Sequence, residues 1–183
     1  MHIETKRMIL RNFALDDLVD LQEIFGDPIV MEHTEPPYNL EKTRQFLMDF
    51  CMGKEREDEV PGAFAATLKE NGKVIGYVLF KEYDEPEIYE IGWIFNKDFW
   101  GCGYAYEICQ GLIDYAFEEM GLHKICAHAT DGVKSVGLMK KLGMTQEGVL
   151  RKHSKNLDET AWLDLHCYAV LQEDYKGEKI CRI

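Results

Sequence analysis

YEIGWIFNKDFWGCGYAYE, from Tyr89 to Glu107, runs from an apolar strand through a loop bearing Gly101 and Gly103 into a helix start. Two glycines leave little side chain where a bulky ligand would lie against the backbone. A helix entered this way turns its unpaired N–H groups back on the loop, and those groups together with the helix dipole suit an anion such as a pyrophosphate. The stretch is therefore a ligand site as well as a structural junction.

Working outward, the helix after the loop carries Ala105, Ile108, Cys109, Leu112, Ile113, Ala116 and Phe117 at i, i+3, i+4, i+7 spacing and ends near Gly121. Ile125 to Ala129 reads as a strand and Lys134 to Leu142 as a short helix closed by Gly143. Two more strands, Thr145 to Lys152 and Ala161 to Leu171, flank a polar tip at Lys155–Glu159. Toward the N-terminus, Asn71-Gly72 predicts a tight two-residue hairpin between Phe64–Lys69 and Lys73–Phe80. Asp84, Glu85 and Pro86 mark a turn into the Ile88–Phe95 strand. Before the hairpin come a strand at Arg7–Phe13, a helix at Leu15–Phe25, and a helix capped by Asn39. In that last helix Thr43, Phe46, Leu47, Phe50 and Cys51 form one apolar stripe. Lys54 to Glu59 reads as a solvated loop.

The expected architecture is α/β (α+β), a mixed but mostly antiparallel central sheet flanked by about four helices. At 183 residues, with 46% hydrophobic and 11% aromatic side chains, one domain over residues 1–183 accounts for the chain. No apolar run approaches a membrane span and no signal-like pattern marks the opening residues, which predicts a cytoplasmic protein without a membrane partner. A net charge of −12, from 33 acidic against 21 basic residues, repels nucleic acid and suits cationic or amine partners, or simply aids solubility. Six scattered cysteines with no CxxC pair, and histidines with no ligand spacing, predict reduced thiols and no metal site.

Three segments in order resemble the GCN5-related N-acetyltransferases, and within them the ribosomal-protein N-terminal (RimJ/RimL) branch. They are RMILR near the start; YEIGWIF with FWGCGYAYE; and SVGLMKKLGM followed by Glu147-Gly148, with Asp164 and Tyr168 fitting the final strand. Trp100 stands where other branches carry Gln or Arg, Gly132 where the family usually has Asn, and Met139 where other branches place a tyrosine acid.

The resemblance implies acetyl-coenzyme A as co-substrate, a primary amine acceptor (a protein N-terminus or a small molecule), and no metal. It implies that backbone N–H groups around Gly101, Cys102, Gly103, Tyr104 and Ala105 hold the pyrophosphate. It also implies that Trp93, Ile94 and Phe95 pair with the pantetheine arm as another strand would. Independently of the resemblance, the basic cluster Lys134, Lys140 and Lys141 is expected to steer the anionic donor or contact its phosphates, with helix-face solvation the alternative for Lys134 and Lys140. Glu90 is the expected general base, directly or through a water, with its pKa raised by partial burial. Its structural alternative is a rim carboxylate paired with a lysine. Ser135 is either the hydroxyl that protonates the leaving thiolate or a helix cap. His33, Glu35 and Tyr38, with the Lys155–Glu159 tip, are the expected acceptor wall, and Cys102 is filler. The departures at Gly132 and Met139 also admit a non-catalytic coenzyme A-binding sensor or interaction module. The oligomeric state, monomer or homodimer, is left open.

Overall fold

The computed structural model describes residues 1–53 and 62–175; the Lys54–Glu59 run and Cys181 lie outside the described residues. Eight strands form one sheet in the order β1-β2-β3-β4-β5-β6-β8-β7. They are β1 (His2–Glu4), β2 (Met8–Arg11), β3 (Ala63–Leu68), β4 (Val74–Tyr83), β5 (Glu85–Phe95), β6 (Lys124–Ala129), β7 (Thr145–Lys155) and β8 (Trp162–Leu171). Every neighbouring pair is antiparallel except β5 with β6. The helices are α1 (Leu18–Phe25), α2 (Leu40–Phe46), α3 (Tyr104–Glu118) and α4 (Lys134–Lys141). The expected mixed sheet with four helices is what the chain builds.

Both faces of the sheet are covered, which explains why β3 is buried at every position. Alternate side chains divide between two cores. Phe64, Ala66 and Leu68 join Ile75, Val78 and Phe80 under α3 and α4, which contribute Ile108, Leu112, Ala116 and Met139. On the other face Ala63, Ala65, Val74 and Tyr77 meet Leu21, Ile24 and Phe25 of α1 and Leu47.

Several local expectations change. The hairpin after β3 is longer than two residues: Leu68 N–H donates to Lys73 O, and Gly72 N–H to Leu68 O, both at 2.9 Å. Asn71 shapes this wider turn by accepting from Lys73 N–H (3.0 Å). Asn39 does cap α2, accepting from Lys42 N–H (2.8 Å). Past α2, however, the chain widens into a π-helical turn, Leu47–Cys51, with Met52 N–H donating to Leu47 O. The extra residue rotates the stripe, so Thr43, Leu47 and Cys51 are buried while Phe50 is 44% exposed. The strand β1 was not expected, since three residues carry too little pattern.

Candidate functional site

The register of β5 with β6 contains Ile88↔Lys124, Tyr89↔Ile125 and Glu90↔Cys126 and then stops. Beyond it β5 stays on β4 as far as Phe95, while β6 continues along β8 as far as Ala129. The two central strands therefore part. His123 N–H donates to Glu87 O on the β6 side, and Asn96 N–H to Ile75 O on the β4 side. Since backbone groups alternate sides along a strand, Trp93 turns its N–H and C=O toward the opening. Ile94 turns toward β4, opposite Tyr77. Phe95 faces the opening, but its carbonyl already accepts from Trp100 Nε1 (2.8 Å). Of the three residues expected to pair with an extended arm, Trp93 is the one with both groups turned to the gap.

The loop ends at Gly103, which has φ +80° and caps α3. Only glycine enters that left-handed region without strain. The first bond into the helix runs from Glu107 N–H to Gly103 O (3.0 Å), so the N–H groups of Tyr104 and Ala105 have no acceptor within α3. The loop is pinned from below. Glu107 accepts from Thr5 Oγ1 (2.7 Å), Arg7 N–H (2.7 Å) and Arg7 Nε (2.6 Å). Arg7 in turn donates Nη1 to Cys102 O (3.0 Å) and lies 4.2 Å over the Tyr104 ring. Burial pushes the Glu107 carboxyl up, but the Thr5 and Arg7 donors together outweigh it and hold the group below its ordinary range. The opening RMILR motif thus braces the glycine loop through Arg7.

A cleft of about 250 Å³ opens beside the parted strands, lined by Gly92 and Trp93 on one wall and His33, His128, Asp131 and Ser135 around it. Glu90 lies behind this lining, its side chain 18% exposed, with Oε1 2.9 Å from His128 Nδ1 and Oε2 3.6 Å from Lys81 Nζ. The expectation of a raised carboxyl is overturned. The hydrogen bond from His128 outweighs burial, and with the His128 and Lys81 charges it holds Glu90 below the ordinary carboxylate range. His128 was missed because a lone histidine in a short apolar strand has no sequence signal.

Ser135 lines the cleft but is not the cap of α4. The N-cap residue is Val133, and the Asp131 carboxylate serves the helix start from outside it: burial pushes this carboxyl up, yet the N–H groups of Val133, Ser135 and Lys134 outweigh this and hold it low. The Ser135 hydroxyl donates to the same carboxylate at 3.5 Å. Gly132 is exposed, and a Cβ there would stand 3.4 Å from His166 Nε2. Met139 is fully buried in the core beneath α4.

Of the three residues expected at the acceptor wall, His33 alone lines the cleft. Tyr38 is core instead: its ring stacks on Phe25 at 5.3 Å, and its hydroxyl donates to Glu35 (2.9 Å). Glu35 is drawn away with it and pairs with Lys42 Nζ (3.1 Å). The lysine that reaches the loop is Lys134, whose Nζ sits 4.3 Å over the Trp100 ring, whereas Lys141 stands exposed on the last turn of α4. Cys102 is exposed, its thiol 3.6 Å from Trp100 O. Burial pushes the Cys51 thiol up to about 12 and is the main cause lifting Cys126 to about 11, which makes both poor nucleophiles. No cluster of metal-ligating side chains occurs among the described residues. Nor is any described helix long and apolar enough to cross a membrane.

Residues 7–145 match the family model described as an acetyltransferase (GNAT) domain. The uncharacterized N-acetyltransferase YnaD of Bacillus subtilis (strain 168) is 34% identical over 96% of this chain and 99% of its own length. A GNAT-family acetyltransferase crystal structure from Bacillus anthracis superposes with a TM-score of 0.85 at 30% identity, covering 94% of this chain and 99% of that one. The ribosomal-protein-S5-alanine acetyltransferase of Vibrio fischeri shares the fold, with a TM-score of 0.77 at 19% identity over 97% of this chain and all of that one (100%).

Proposed function

The chain belongs to the GNAT acetyltransferase family, and on that premise we propose that it transfers an acetyl group from acetyl-coenzyme A to a primary amine. The acceptor is a protein N-terminus or a small amine, met by a chain of net charge −12. The observation that carries this reading is the parting of β5 from β6 after Glu90↔Cys126, directly beside a helix start whose first N–H groups lack acceptors in the helix. An extended arm fits the first feature and a pyrophosphate the second.

Acetyl-coenzyme A supplies an acetyl group already activated as a thioester. The chain's own residues do the rest. The N–H groups of Tyr104 and Ala105 hold the diphosphate, with Gly101, Cys102 and Gly103 keeping side chains clear of it. Trp93 offers its backbone groups to the arm in place of the missing strand and so orients the thioester. A neutral amine is the nucleophile. An N-terminal amine has a pKa of about 8, so about a tenth is neutral at pH 7, whereas a lysine at about 10.4 needs far more help. The Glu90–His128 pair removes the proton, and the Ser135 hydroxyl lies in the cleft to solvate the departing sulfur.

Titration calorimetry with acetyl-coenzyme A, with adenosine diphosphate as control, tests the donor half. Free-thiol release with a tripeptide and with spermidine tests the acceptor half. Micromolar binding that needs the pantetheine arm, with thiol released, is expected. No binding at millimolar donor would sink the reading. Binding without thiol release would leave a coenzyme A-binding module in its place.

A further inference from the structure

The structure places a second titratable side chain between Glu90 and the cleft, and we propose that His128 is the group that takes the acceptor's proton, with Glu90 a positioning residue behind it. This rests on the acetyl-transfer reading above and names the base within it.

The geometry is that of a base held by an orienting carboxylate. Glu90 is not among the residues lining the cleft, whereas His128 is. The Glu90 carboxylate can only accept, and its Oε1 is 2.9 Å from His128 Nδ1. Nδ1 therefore carries the proton in the neutral ring, and the lone pair is left on Nε2. Lys81 Nζ, 3.6 Å from the other carboxylate oxygen, helps hold Glu90 in place. The Tyr83 ring packs at 5.3 Å from the His128 ring and limits its rotation from the β4 side.

Matching of base to task points the same way. A carboxylate kept below its ordinary range is a poor acceptor for a proton from an ammonium group. The groups around His128 are Lys81 and Tyr83 on β4, Glu90 on β5, Cys126 on its own strand, Cys167 opposite it on β8, and His33 and Asp131 across the cleft. Of these, Glu90 is the one hydrogen-bonded to the ring.

The proton balance is simple. Nε2 takes one proton from the acceptor ammonium and leaves a neutral amine. The amine nitrogen bonds to the acetyl carbon as the C–S bond breaks. The nitrogen's surplus proton goes to the departing sulfur, and the imidazolium returns its own to solvent. One proton is released per amide formed.

The test has two arms. Ring-nitrogen NMR of the free protein at pH 8 should show His128 protonated at Nδ1, and Glu90→Ala should shift it toward the Nε2–H form. This arm needs neither donor nor acceptor, so it stands apart from any failure of the acetyl-transfer reading. An Nε2–H ring in the parent overturns the proposal. In turnover with acetyl-coenzyme A and a free-amine tripeptide, His128→Gln should lower kcat about 100-fold, leave the KM for acetyl-coenzyme A unchanged, and cost more than Glu90→Ala. A His128→Gln loss below about ten-fold, or one no greater than that of Glu90→Ala, overturns it. Far-ultraviolet circular dichroism of both variants confirms that folded proteins are being compared.

Discussion

Replacing Glu107 by Gln tests whether the first strand pair braces the glycine loop before α3. The carboxylate side chain is 10% exposed and serves three donors, Thr5 Oγ1, Arg7 N–H and Arg7 Nε, at 2.7, 2.7 and 2.6 Å. A glutamine keeps one oxygen, enough for the Thr5 hydroxyl and the Arg7 amide. Its new NH₂ faces the guanidinium, so the charged bond to Nε is lost and a donor meets a donor. A hydrogen bond to a charged group contributes about 1.5–3 kcal/mol. Arg7 is 39% exposed, and water recovers part of the loss. The expected net cost is about 2 kcal/mol, which for a chain of this size lowers Tm by about 4–8 °C.

The effect carries a pH signature. The folded carboxyl sits below its ordinary value of 4.5. Its stabilisation is therefore fully present above that unfolded value and lost as pH falls through the lower folded one. Thermal melts of parent and Glu107→Gln should differ at pH 7 and converge in acid. A pH 7 melt within about 1 °C of the parent, or a gap that persists unchanged in acid, refutes the argument. A double-mutant cycle with Arg7→Ala would then isolate the pairwise part.

Other outcomes follow from neighbouring residues. Gly103→Ala forces a side chain into φ +80°, with Arg7 Nη2 3.6 Å away and not itself obstructive. The expected cost is about 1–2 kcal/mol, seen as a lower Tm together with weaker acetyl-coenzyme A binding by calorimetry. Asp131→Ala removes the acceptor for the N–H groups of Val133, Lys134 and Ser135 at the start of α4, a loss of about 1 kcal/mol measurable by urea denaturation. Trp100→Phe deletes the 2.8 Å bond to the Phe95 carbonyl, and about 1 kcal/mol of stability should go with it in the same assay.

Much of this architecture is legible in local pattern. The stripe along α3, the Gly103 start and the Asn39 cap all rest on residues near in sequence, where periodicity and capping chemistry act directly. The site is legible only in part, because its decisive contacts cross the chain. Glu90 reads as a base whose burial raises it, until a histidine 38 positions away donates to it. Tyr38 reads as a loop aromatic free for a ligand, yet Phe25 and Phe46 claim its ring. Arg7 and Glu107 are each visible as charges, but nothing in either neighbourhood announces their pairing. Ser135 and Asp131 lie four residues apart, and there which one serves the helix start turns on which side chain reaches more N–H groups.

The place where β5 leaves β6 has a consequence for how the chain behaves in a crowd. A strand with unsatisfied backbone groups invites other chains to add to it, and an exposed edge of this kind is an aggregation hazard. Here the unsatisfied stretch lies in the middle of the sheet, flanked by β4 on one side and β6 on the other. A neighbouring sheet cannot approach it; a single narrow, extended arm can. The hazard is moved to the outer edges, where it is blunted by other means. On one side β1 has only three residues, His2–Glu4. On the other, the long β7 carries Arg151, Lys152 and His153 where its register with β8 breaks, between Leu150 and Ser154. The protein can thus keep an unfinished sheet at its centre without offering that sheet to its neighbours.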